Sequence, residues 1–100
     1  MMTNGDLDNK MGMCAVLSNG QTIIYLEAGD SKHWIEPCFI QSYKDSKVGF
    51  MPLQVFGESY LAEPVNPQHI LCSYVPESQI EEAYKNFLRN YFLDSRTQRN

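Results

Sequence analysis

The apolar positions of this chain follow two regimes. From Met13 to Val75 they come in short runs of β-branched and aromatic residues cut by turn residues, and from Ile80 onward they recur with helical spacing. In the first regime Met13 to Leu17 reads as a strand, Ser18-Asn19-Gly20-Gln21 as a turn and Thr22 to Leu26 as a second strand. Asn-Gly is the strongest short hairpin signal, because a type I′ turn needs positive φ at both central residues. Ala28 to Lys32 is the next turn. His33 to Tyr43 predicts a third strand, in which Pro37 imposes an edge, a bend or a bulge. After the polar turn Lys44 to Lys47, Val48 to Phe56 reads as a fourth strand, again holding a proline, Pro52. Gly57, Pro64 and Pro67 predict an irregular connection, with a short extended piece at Tyr60-Leu61. His69 to Val75 predicts the fifth strand, stopped by Pro76.

In the second regime Ile80, Ala83, Tyr84, Phe87, Leu88, Tyr91 and Phe92 form one continuous apolar stripe at helical spacing. Ser78 and Glu81 have the spacing of a capping box. Glu81 and Lys85 form an i,i+4 pair in the favoured order. The expected organisation is therefore a flexible tail over 1–10, a β-barrel over 11–76, a helix over 77–93 and a second flexible tail over 94–100. A chain of 100 residues builds one sizeable core. Five short strands and one helix predict a mainly β fold: a small, strongly bent five-stranded barrel with a C-terminal amphipathic α-helix over one end. The aromatic stripe either seals the barrel or meets a neighbouring subunit. The open edges of a five-stranded sheet favour strand-to-strand assembly.

Composition narrows the function classes. A hydrophobic fraction of 43% with 20% charged residues excludes a disordered chain. The net charge is −4, and no Lys or Arg occurs between Lys47 and Lys85. Nucleic-acid binding by a bulk basic stripe on one subunit is therefore not expected, although a ring of copies could gather a few basic side chains around a pore. No run is apolar and long enough to span a bilayer, and the acidic, polar N-terminus resembles neither a secretory nor a transit peptide. The expected compartment is the cytosol, with no membrane contact. The three cysteines, Cys14, Cys38 and Cys72, lack a CxxC arrangement and read as reduced, buried thiols. His69 and Cys72, or His33 and Cys38, stand three or five positions apart, so on a regular strand they face opposite ways and cannot share a metal. No metal or other cofactor is expected. A nucleophile elbow, a phosphate-cradling glycine loop and a paired-carboxylate motif are all missing, which predicts a binding protein and not an enzyme.

Three stretches bring a family into view. Val16-Leu17-Ser18-Asn19-Gly20-Gln21-Thr22 resembles the first hairpin of Sm and Sm-like proteins. Asp30 lies where that family carries an Asp between its second and third strands. His69-Ile70-Leu71-Cys72-Ser73-Tyr74-Val75-Pro76 resembles the last strand of the bacterial Sm-like RNA chaperone, which also starts at a His and stops at a Pro. The likeness covers roughly Met13 to Pro76 and extends to the small Sm-like proteins of cyanophages, whose compartment would be the host cytosol.

The resemblance implies a homo-oligomer in which the fourth and fifth strands of neighbouring copies pair to close a ring of roughly five to seven subunits. It implies single-stranded RNA held near the pore by two loops. Matched position by position, the RNA candidates are Asp30, Lys32, His33 and Trp34 in the first loop and Gln68 and His69 in the second. The interface candidates on the two pairing strands are Phe50, Val55, Phe56, Ile70, Cys72 and Tyr74. The chain departs from the family pattern in several ways: Trp34 stands about where an Asn is expected, and Gly57 to Gln68 looks like extra length. Gln68 replaces the Lys of a Lys-His pair, the Ile-Arg-Gly of other branches is missing, and the helix is C-terminal. Two readings therefore stay open: an RNA-binding ring, and a structural or adaptor ring that assembles with protein partners and has lost RNA binding.

Overall fold

Ile23, Ile24, Tyr25 and Leu26 are all buried. Successive side chains of a strand point to opposite faces, so the strand Thr22–Glu27 must be covered on both sides. The computed structural model, which describes residues 9–29, 32–42, 47–53, 61–62 and 64–98 (backbone alone for 61–62 and 92–98), shows how. Its strands are β1 (Gly12–Leu17), β2 (Thr22–Glu27), β3 (Trp34–Ser42), β4 (Val48–Pro52), β5 (Leu61–Ala62) and β6 (Ile70–Tyr74), followed by the helix α1 (Ser78–Gln98). They form one antiparallel sheet in the order β4-β3-β2-β1-β6. The two-residue β5 pairs with Trp34 and Ile35 at the start of β3, while β4 pairs with Cys38–Ser42 further along.

One face of the sheet carries Cys14, Ile24, Leu26, Ile35 and Cys38, and Tyr84 and Leu88 of α1 seal it, with Ile80 and Phe87 alongside. Burying side chains of this size contributes about 1.5–3 kcal/mol each, which is what holds the helix on the sheet. The other face carries Ala15, Leu17, Ile23, Tyr25 and Trp34, packed against Met13, Phe39, Leu53, Val65 and Ile70. Among the described residues no second helix or sheet supplies that layer. It is closed by residues of the curled sheet itself and of its connections, giving the small bent barrel expected. Two register shifts help the sheet bend, one between Val16 and Leu17 against β6 and one between Ile24 and Leu26 against β3. Bulges of this kind increase local twist.

Local details differ from expectation for identifiable reasons. The first hairpin is not a type I′ turn. Only Gly20, at φ 91°, has positive φ there. Gly20 N–H donates to Leu17 O at 2.9 Å and Leu17 N–H to Gln21 O at 2.8 Å. Ser18 thus joins the loop, and the glycine alone takes the left-handed position of a three-residue connection. Of the edge, bend or bulge expected at Pro37, the structure shows a bulge. Pro52 ends β4 early, and the predicted continuation through Val55 and Phe56 lies outside the described residues. His69 does not start the last strand but closes a 3-10 turn, Pro67–His69, ahead of it. The helix continues past Asp94 to Gln98, where a frayed tail was expected.

The capping-box partner has another task. Glu81 N–H donates to Glu77 O at 3.0 Å, so the helix begins one residue earlier than a Ser78 cap requires. The Glu81 carboxylate instead accepts from Gly12 N–H of β1 at 3.2 Å and pairs with Lys85 at 3.2 Å. Lys85 is only 7% exposed. Glu81→Ala should therefore cost about 1–3 kcal/mol in urea unfolding, since it orphans a buried amide and a buried cation together. Glu81→Gln should restore the Gly12 bond but not the ion pair, and should fall between the two. Equal stability of all three proteins would refute this tie between helix and strand.

Candidate functional site

The last strand and its approach are built from local polar bonds. Asn66 Oδ1 accepts from Gln68 N–H at 3.0 Å, His69 N–H donates to Asn66 O at 2.9 Å, and Pro67 pre-sets the turn. His69 O then accepts from Ser18 N–H at 2.8 Å, which docks the turn beside the first hairpin. β6 leaves from there and pairs on one side with β1. Among the described residues nothing pairs with its other side. Leu71 is 68% exposed, Val75 62% and Tyr74 46%, and Cys72 is exposed as well. Edge strands with exposed apolar residues are templates for strand addition. At the far end of the sheet β4 has one side with no partner among the described residues, and Met51 there is exposed.

The interface candidates therefore divide. Cys72 and Tyr74 lie on the open edge of β6. Ile70 is half-buried and packs into the second core layer. Phe50 is turned under the helix, 5.7 Å from both the Tyr84 and Phe87 rings, and is a core contact. Cys14 and Cys38 are buried as expected, but Cys72 is exposed on β6, which has no neighbour beyond it among the described residues. Burial pushes the Cys14 thiol above its ordinary range, and Tyr74, its cross-strand neighbour, shares a side-chain hydrogen bond with it.

The RNA candidates divide as well. Lys32 is exposed and His33 half-buried on the connection between β2 and β3; Asp30 lies outside the described residues. Trp34 follows them but is 7% exposed, and its ring stacks on Tyr25 at 4.1 Å and 7°. The face a base would need is already filled, so Trp34 is a core residue and not a stacking platform. Gln68 and His69 are exposed on the 3-10 turn. Glu27 N–H donates to Met11 O at 3.1 Å, which places Lys32 and His33 beyond the Gly12 end of β1. Gln68 and His69 stand at its Leu17 end. The two groups are thus separated along β1 by roughly 17–20 Å of strand.

One constellation was not legible beforehand. Ile24 pairs with Cys38 and Leu26 with Ile35, so Glu36 and Pro37 together oppose Tyr25. Glu36 sits at φ 48°, the only positive φ of a non-glycine among the described residues. The Tyr84 hydroxyl donates to the Ile35 carbonyl at 3.3 Å and to the Glu36 carbonyl at 2.5 Å. The Cys38 thiol donates to the Glu36 carbonyl at 3.5 Å. Burial raises the Glu36 carboxyl to about 7. Burial, with the Glu36 charge, pushes Cys38 to about 12, so its thiol stays protonated and is no nucleophile at neutral pH. The signal was Pro37, which announced an edge, a bend or a bulge without saying which, or which neighbour would take the left-handed turn.

Among the described residues no three His, Cys, Asp or Glu side chains converge as metal ligands, and no helix is long and apolar enough to cross a membrane. In comparisons with family models, curated proteins and solved structures, nothing matches this chain.

Proposed function

We propose that this chain is the subunit of an Sm-like homo-oligomeric ring, closed by pairing the open side of β6 with the open side of β4 in a neighbouring copy. The observation that supports it most is the sheet order, which leaves those two strands outermost, together with the apolar exposure of β6. Every copy then offers one donor edge and one acceptor edge, and a constant rotation between copies closes a ring. Single-stranded RNA is the proposed ligand, contacted by Lys32, His33, Gln68 and His69, with Asp30 added from the resemblance. Trp34 is no longer included.

A second reading, an adaptor ring for protein partners, is favoured by two observations. The chain is acidic, and its one tryptophan is committed to the core. Native mass measured with and without uridine-rich and adenine-rich RNA, at low and moderate salt, separates the readings. A closed oligomer that takes up RNA with a shallow salt dependence supports contacts by stacking over charge. In that case His69→Ala should weaken binding by about tenfold, in line with the ~1–3 kcal/mol of a stacked base. A closed oligomer indifferent to both RNAs supports the adaptor, and a monomer refutes the ring.

A further inference from the structure

Every residue from Leu71 to Val75 is exposed, and none is charged. Successive side chains of a strand point to opposite faces, so β6 is uncovered on both. The main-chain bonds of the first hairpin decide which of its backbone groups look outward. Leu17 N–H donates to Gln21 O at 2.8 Å and Leu17 O accepts from Gly20 N–H at 2.9 Å, so both groups of Leu17 turn toward β2. Backbone groups alternate in direction along a strand. Val16 therefore turns to β6, where it lies opposite Cys72, and Ala15 turns back to β2. Ser73, opposite Ala15, then turns its N–H and C=O to the open side. The residue skipped by the register shift, Leu71, precedes this segment and leaves its alternation intact.

The exposed run is symmetric in kind about Ser73. Reversed and laid beside itself, it sets Ser73 opposite Ser73, Cys72 opposite Tyr74 and Leu71 opposite Val75. Residues directly opposite share a face. Cys72 and Tyr74 already lie on one face, that of Val16 and Cys14, so the match is consistent. A small side chain stands at the centre, where two identical ones must meet, and larger apolar ones flank it.

We propose that β6 of the free subunit pairs antiparallel with β6 of a second copy, about a two-fold axis through Ser73. Each Ser73 donates its N–H to the Ser73 carbonyl of the other copy, the reciprocal exchange of a hydrogen-bonded antiparallel pair. Leu71 and Val75, 68% and 62% exposed in the single chain, lose contact with water there. No charge is desolvated, since Ile70 to Pro76 carries none. The contact is the same patch on both copies and closes at two. One pair of five-residue segments covers less than the roughly 1,200 Å² of a stable specific interface, so the pair is weak and exchanges readily. A copy cannot use β6 twice. The proposed ring gives each copy two contacts where the pair gives one, so ring closure displaces the pair, which keeps the edge covered until then. Only that last step rests on the ring reading.

Nuclear Overhauser contacts between copies, measured in an equal mixture of isotope-labelled and unlabelled full-length chain, test the pair. The Hα atoms of Cys72 and of Tyr74 in the other copy should be in contact, because Cα atoms of a non-hydrogen-bonded pair lie about 4.5 Å apart. Leu71 methyls should reach those of Val75 in the other copy. Ser73→Pro removes an N–H that faces solvent in the single chain, so the subunit should keep its circular dichroism. It removes both central bonds of the pair, so the dimer dissociation constant from sedimentation should rise by at least about tenfold. A chain that is monomeric in the labelled sample overturns the proposal, as does a dissociation constant unchanged by Ser73→Pro. Contacts from β6 that lead only to Val48–Pro52 of another copy overturn the pair and support the ring. Cys72–Tyr74 contacts with a mass that stops at two copies support the pair and refute the ring.

Discussion

If the chain closes into the proposed ring, Leu71→Lys combined with Val75→Lys should convert that oligomer into a folded monomer. Both side chains are mostly exposed in the single chain, so neither change removes a core contact, and the circular dichroism and melting of the subunit should barely move. In an assembled edge the same positions meet a second copy, where a lysine ammonium must give up water without a partner. Lysine on an outer strand is also a common natural means of blocking strand addition. The dissociation constant should rise by at least about 100-fold, read by sedimentation velocity across a concentration series. If the doubly substituted chain keeps the oligomeric mass of the parent, β6 is not the assembly edge. RNA uptake should disappear together with the ring if the pore assembles the binding surface, and should survive in the monomer if each copy binds alone.

Tyr84→Ala should be the most damaging single change. The side chain is fully buried, and truncation removes both its ring contacts and its bond to the bulge carbonyls. Aromatic-to-alanine changes in cores cost about 3–5 kcal/mol, a large part of the ~5–15 kcal/mol that holds a domain together. Tyr84→Phe separates the two contributions. It keeps the ring and loses only the hydroxyl, which leaves the Ile35 carbonyl without that donor and the Glu36 carbonyl with only a thiol. A loss of about 1–2 kcal/mol is expected, equivalent to a drop in melting temperature of roughly 4–15 °C. Thermal unfolding of the two variants beside the parent provides the check. A phenylalanine variant as stable as the parent would show that the bulge does not depend on the hydroxyl.

The strands and the helix could be read from the chain because each depends on signals a few residues apart. Thr22 to Leu26 is β-branched and aromatic, Gly20 permits the turn before it, and the apolar stripe from Ile80 fits a helical period. The Glu81–Lys85 pair formed for the same reason, being one turn apart on one helix. Errors cluster where a residue had two local options. Asn19-Gly20 could close a two-residue or a three-residue loop, and the ladder partner of Leu17 chose the longer one. His69 could begin a strand or end a turn, and Pro67 with the Asn66 side chain favoured the turn. The candidate site was less legible still. Trp34 had the composition of a stacking residue, and only its position opposite Tyr25 shows it to be core.

The order of elements, the mainly β class, the amphipathic helix and a break in strand regularity at Pro37 were thus determined by the chain alone. Hydrophobic period, turn chemistry and proline geometry act within about one turn or one strand. The tertiary structure decided which side chains those elements leave over. It placed Glu81 on the Gly12 amide, 69 residues away, and the Tyr84 hydroxyl on the Glu36 carbonyl, 48 residues away. It put Cys72 outside and Cys38 inside, although both are cysteines on strands. No local pattern encodes those outcomes, because each depends on which strand becomes an edge and which face the helix covers, and both are settled only when the whole sheet curls and buries its two layers together.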